Sequence, residues 1–102
     1  MSENRAQATV LVENEKVKVS EWRFRSGSNT GYHRHEYDYV VVPLHTGSLT
    51  MLSEAGDRSE ASLTLGAPYY RDAGVEHDVL YEGEGEFAFI EIELVGDRSN
   101  PR

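Results

Sequence analysis

Residues 86–95, EFAFIEIELV, alternate with a period of two. Ala88, Ile90, Ile92 and Leu94 fall on one face, and Phe87, Phe89, Glu91 and Glu93 on the other. Successive side chains of an extended chain point to opposite sides, so the pattern specifies a strand with two unlike surfaces. A helix would need apolar residues at i, i+3, i+4 and i+7, and no window of about 11 residues carries that stripe. The same alternation recurs upstream. In KVKVSEWRFR (16–25), Val17 and Val19 share one face, while Lys16, Lys18, Trp22 and Phe24 share the other. The stretches 8–13 (ATVLVE), 37–44 (YDYVVVPL), 48–53 (SLTMLS), 61–65 (ASLTL), 67–71 and 75–81 are also rich in strand formers. Turn signals separate them at Thr46-Gly47, at 54–57 (EAGD), at Asp72-Ala73-Gly74 and at the charged 82–86 (EGEGE). Roughly seven or eight short strands spaced in this way predict an all-β domain, a sandwich or a barrel.

Composition bounds what such a domain can do. The 102 residues are the size of one domain, expected to have its core over about 8–95 and flexible ends at 1–6 and 96–102. A net charge of −8 disfavours nucleic acid and anionic membranes as partners, because both require clustered Lys and Arg. With no cysteine, disulfides and thiolate metal ligands are excluded. The N-terminal MSENRAQATV has no basic-plus-apolar signal, and no run approaches about 18 apolar residues, so a cytoplasmic location is expected. Nucleotide-binding glycine loops and a GxSxG elbow are missing.

Two of the four histidines stand at 33 and 35, in GYHRHEYD (31–38). In an extended segment an i, i+2 pair points to the same side, where two ring nitrogens can converge on one ion. The same spacing also suits two half-exposed surface histidines. Flanking residues extend the pattern. Gly27 lies before His33 and Gly47 after His35; further on come Gly66, Gly74 and His77.

In these positions the chain resembles the cupin superfamily, whose motifs read G(X)5HXH(X)3-4E(X)6G and G(X)5PXG(X)2H(X)3N. Gly27, His33, His35 and Gly47 match the first, and Gly66, Gly74 and His77 the second, with residues 48–65 between them. Three slots differ. Val40 or Tyr39 occupies the glutamate slot, Asp72 the proline slot and Tyr81 the asparagine slot. The resemblance implies a small antiparallel jelly-roll barrel. It further implies a site of His33, His35 and His77 holding one divalent transition metal such as Fe, Zn, Ni or Mn. Three protein ligands leave positions open, which is a catalytic arrangement. Glu36 and Asp38 could replace the missing carboxylate, but an extended reading turns both away from the histidine side.

Tyr39 and Tyr81 stand in slots that face the site and are the expected catalytic or pocket residues. Arg34 is expected in solvent, Arg71 at the surface or against a substrate carboxylate, and His45 in a turn. The family implies a metal-dependent enzyme, an oxygenase or an isomerase/lyase, acting on a small polar metabolite. The alternative is a non-catalytic module that binds a small ligand or metal. It also implies a homodimer. Trp22, Phe24, Phe87 and Phe89, on the less aliphatic faces of their strands, are the expected interface. Lys16 and Lys18 are expected opposite Glu91 and Glu93 on paired strands.

Overall fold

A computed structural model describes residues 4–96. Among these residues there are nine strands and no helix: β1 (Gln7–Glu13), β2 (Val17–Arg25), β3 (His33–Arg34), β4 (Tyr39–Pro43), β5 (Gly47–Leu52), β6 (Arg58–Leu63), β7 (Tyr69–Arg71), β8 (Glu76–Leu80) and β9 (Glu86–Leu94). They pair antiparallel in two sheets, ordered β1-β2-β9-β4-β7 and β3-β8-β5-β6. The fold is an all-β jelly roll. No helix among the described residues is long and apolar enough to cross a membrane. The expected flexible ends fall mostly outside the described residues. Within them, the Asn29 amide donates to the Asn4 carbonyl and the Ala6 amide to the Asn29 carbonyl, both at 2.8 Å.

Strand β9 sits between β2 and β4, and its register sets the character of the interior. Across β2 and β9 the inward pairs run Phe24–Phe87, Trp22–Phe89, Ser20–Glu91 and Lys18–Glu93. One end of this ladder is aromatic and closed. Phe24 and Phe87 are fully buried there and pack in one cluster with Leu49, Leu63, Val79 and Tyr81. Toward the other end the ladder turns polar, and the histidines lie there.

This register corrects the expected dimer interface. Phe24, Phe87 and Phe89 are core residues, and Trp22 is packed against that core. The face with more aliphatic residues is instead the outside of the sheet. There Val19, Ile92 and Val40 line up across three strands, beside Ile90 and Val42, and all five are half-buried. Aromatic rings supply more buried area per residue than Val or Ile, so they win the interior of so small a barrel. The charge pairing holds in part. Lys18 lies opposite Glu93, but Glu91 lies opposite Ser20 and is buried, and Lys16 precedes the strand.

Gly47 shows why a motif glycine begins β5. A Cβ at that position would stand 3.0 Å from the buried ring of Phe87.

Candidate metal centre

Three segments bring the histidines together. His33 on β3 pairs in register with His77 on β8. The two-residue β3 is too short to be read from periodicity; it exists because its partner strand does. His35 follows it and is tied down by the turn before β8: its amide donates to the Val75 carbonyl, and the Gly74 amide donates to its carbonyl, both at 2.8 Å. Gly74 has φ +101°, a backbone state open to glycine and rarely to other residues. Asp38 braces the same turn by accepting from the Ala73 amide at 2.8 Å. Asp78 holds the loop before His33 through the Gly31 amide (3.0 Å) and the Asn29 side-chain amide.

The ring nitrogens converge. His33 Nε2 lies 3.1 Å from His35 Nε2, which lies 3.2 Å from His77 Nε2. His33 Nδ1 faces the Gly31 carbonyl at 2.8 Å. A carbonyl only accepts, so Nδ1 carries the ring proton and Nε2 presents its lone pair. Two nitrogens each about 2.0–2.1 Å from one ion, at angles near 90–100°, would stand about 2.8–3.2 Å apart, a range that contains the observed spacing. Burial and the neighbouring His33 push His35 down to about 3; burial, His33 and Arg71 push His77 down to about 4. Both rings therefore favour the neutral, ligating form. The donor set fits a divalent transition ion, and these three residues can hold one.

A second group of donors shares one residue with the first. His35, Glu91 and Glu93 also bring ligand atoms close together. Here the nearer nitrogen is Nδ1, 3.8 Å from Glu91 Oε2, while Nε2 faces the other histidines. A neutral imidazole binds through one nitrogen and keeps its proton on the other, so the two sets compete for His35. The three-histidine set uses the shorter contacts, and His35 Nδ1 stays on the Glu91 side at 3.8 Å, beyond hydrogen-bond reach.

The surroundings divide the expected residues. Tyr39 is buried in the cavity wall and stacks on the His35 ring, centroids 4.0 Å apart and planes 18° apart. Burial and Glu91 raise its phenol well above the usual value, so it stays neutral and acts by packing rather than as an anionic ligand. Tyr81 is not brought to the site. It packs on Phe87 in the core, and its hydroxyl donates to the Glu84 carbonyl at 2.6 Å. Its slot lies four residues beyond His77, on the same inward side but toward the aromatic end. Glu36 is exposed, and neither it nor Asp38 joins a converging donor group among the described residues. Arg34 pairs with Glu76 at 3.4 Å, Arg71 lies over the Tyr69 ring at 4.9 Å, and His45 Nδ1 accepts from the Ala88 amide at 3.0 Å.

Glu91 is the site residue that sequence reading missed. It is 8% exposed, accepts from Trp22 Nε1 at 3.3 Å, and is raised to about 7 by burial and by Glu93. Since burial also keeps His35 neutral, their contact is not an ion pair. The signal was present: Glu91 shares its face with Phe87 and Phe89, so placing the aromatics inside places this carboxylate inside too.

Two connected spaces meet at these groups. The inner one, about 30 Å³, is lined by the three histidines with Tyr39, Trp22 and Glu91. It has room for an ion or a water or two and no more. A wider vestibule of about 370 Å³ shares Trp22, His33, His35 and Glu91 and adds Lys18, Arg34 and Glu93. An organic molecule fits there and not in the inner space; a further space of about 300 Å³ borders His77 from the side of Met51, Arg58 and Glu76.

The histidine values carry a pH dependence. Between the unfolded value of 6.5 and the folded values near 4 and 3, the unfolded chain binds protons that the folded chain refuses. Metal-free protein therefore loses this stabilisation as pH falls through that window and has all of it above 6.5. Glu91 acts with the opposite sign: its contribution is present below the unfolded value of 4.5 and lost as pH rises through about 7. Comparing wild type with His77→Gln isolates one histidine. In urea unfolding with chelator present, the variant should lose less stability than wild type between pH 7.5 and 5. An equal loss in both would contradict this.

No protein-family model matches the chain. It is 49% identical over 89 residues to the beta-alanine degradation protein BauB of Pseudomonas aeruginosa, covering 87% of this chain and 93% of that protein. The crystal structure of a cupin domain from Bordetella pertussis superposes with a TM-score of 0.86 at 48% identity, over 92% of this chain and 97% of that one. A protein with a double-stranded β-helix domain from Klebsiella pneumoniae, 18% identical, shares the fold with a TM-score of 0.74 over 95% and 83% of the two chains.

Proposed function

The chain belongs to the cupin superfamily, and on that premise we propose that it is a metal-binding small cupin that acts on a small polar metabolite at His33, His35 and His77. The observation that carries this reading is the meeting of three Nε2 atoms within 3.1–3.2 Å steps, two of the rings, His33 and His35, also lining a vestibule large enough for a small molecule. The similarity to a protein named for beta-alanine degradation supports a substrate class: a short-chain carboxylate with a second polar group. The reaction class is oxygenase or isomerase/lyase.

When bound, the metal supplies a Lewis acid that polarises a carbonyl or carboxylate oxygen or acidifies a water. The chain's own residues do the rest. His33 and His35 are held by the Gly31 carbonyl and the Asp72–Gly74 turn, so the ligands are set before anything binds. Tyr39 fixes the plane of His35. The apolar wall of Val41, Leu49 and Phe89 behind the histidines limits water to the inner space. Lys18 and Arg34 at the vestibule offset part of the acidic charge of Glu36, Glu91 and Glu93 there.

The test compares metal-loaded with chelator-stripped protein, titrated with short-chain carboxylates and assayed for oxygen consumption and carbonyl turnover. Binding and turnover that both require the metal are expected. Metal-dependent binding without turnover assigns the protein to the non-catalytic class, and no metal dependence in either overturns the reading. We retain the homodimer in this proposal, with its interface moved to the outer face of Val19, Ile92 and Val40, whose continuous apolar row supports it. Sedimentation at micromolar concentration should show a dimer that Ile92→Glu converts to monomer; a wild-type monomer contradicts it.

A further inference from the structure

Glu91 has more accepting capacity than the protein uses. An ionised carboxylate accepts about four hydrogen bonds. Among the described residues Oε1 receives one, from Trp22 Nε1 at 3.3 Å, and Oε2 receives none, its nearest cation-capable neighbour being His35 Nδ1 at 3.8 Å. Yet no fully buried side-chain oxygen of the described residues lacks a partner, so Oε2 retains surface toward the cavity. The residue lines both the inner space and the vestibule. A carboxylate nine-tenths buried, with one oxygen open to a space made for a ligand, is costly to keep unless a donor arrives there. Apolar residues would fill this position on the β9 ladder more stably, as Phe87 and Phe89 do four and two residues earlier.

We propose that Glu91 is a specificity residue whose Oε2 accepts a hydrogen bond from an O–H or N–H donor on the substrate, selecting short acids that carry a hydroxyl or ammonium group over plain ones. This rests on the metal-site reading above, since the acid end is taken to lie at the histidines. Trp22 orients the carboxylate from the opposite oxygen, and its indole forms the wall along which the connecting carbons lie. Lys18 and Glu93, the next inward pair toward the mouth, bound the donor group on the solvent side.

The experiment is calorimetric titration of the protein, carrying the metal it retains on purification, with propanoate, 3-hydroxypropanoate and 3-aminopropanoate. Wild type should bind at least one of the two donor-bearing acids about tenfold or more tighter than propanoate, and which one identifies the donor as hydroxyl or ammonium. Glu91→Leu should remove that preference with metal content unchanged. Glu91→Gln, which keeps a single carbonyl acceptor, should retain part of a hydroxyl preference and lose an ammonium preference. Equal affinity for all three acids in wild type overturns the proposal, as does a preference that survives Glu91→Leu. Metal loss in both Glu91 variants would show a metal-supporting residue instead. If propanoate fails to bind and the protein holds no metal, the metal-site reading itself has failed, a result distinct from each of these.

Discussion

Replacing His77 by alanine is expected to lower bound metal at least about tenfold, because losing a direct ligand should cost no less than losing a residue that only supports one. The fold should survive. His77 lies on the polar end of the barrel, and its β8 backbone keeps its pairing with β3 and β5 whatever the side chain. Two controls give the result its meaning. His45→Ala removes a histidine bonded to the Ala88 amide, away from the cluster, and should leave metal content unchanged. Glu93→Ala removes a member of the competing donor group and should also leave it unchanged if the ion sits on the three histidines. Elemental analysis after chelator-free purification reads all three. Unchanged stoichiometry in His77→Ala takes that histidine out of the site.

The second large effect is on stability. Phe87→Ala should cost about 3–5 kcal/mol, the usual penalty for emptying a buried phenylalanine site. The ring is 1% exposed, touches Tyr81 and His45 with centroids 5.4 and 5.7 Å away, and lies so close over Gly47 that a Cβ there would stand 3.0 Å from it. The neighbouring backbone cannot collapse far into the space left. Ile92→Ala, on the same strand but the outer face, should cost about 1 kcal/mol. Urea unfolding at neutral pH measures both. If Ile92→Ala proves the more damaging, the face assignment of β9 is inverted.

That face assignment marks where the sequence was legible and where it was not. Alternation in EFAFIEIELV made β9 plain, as did the like pattern of β2, because period two is a local property. Which face is inside is not local. The outer face of β9 carries Ile90, Ile92 and Leu94, and the inner face carries two phenylalanines followed by two glutamates, because the barrel is dry at one end and is a site at the other. A count of aliphatic residues therefore points outward, and Glu91 reads as surface. The histidines were legible for a different reason: the spacing of His33, His35 and His77 against Gly27, Gly47, Gly66 and Gly74 follows a pattern that specifies two turns as well as three ligands. Tyr39 followed from its slot and does reach the cavity. Tyr81 did not, because its slot lies past the point where the interior changes from polar to aromatic, and nothing local to it signals that change. The two-residue β3 was invisible, since its existence depends on a partner more than 40 residues away.

Anomalous diffraction from crystals of protein purified without chelator tests the central claim most directly. One transition-metal peak should appear about 2.0–2.2 Å from Nε2 of each of His33, His35 and His77. A peak on the Nδ1 side of His35, among Glu91 and Glu93, or a His77 ring turned out of the cavity, would contradict it.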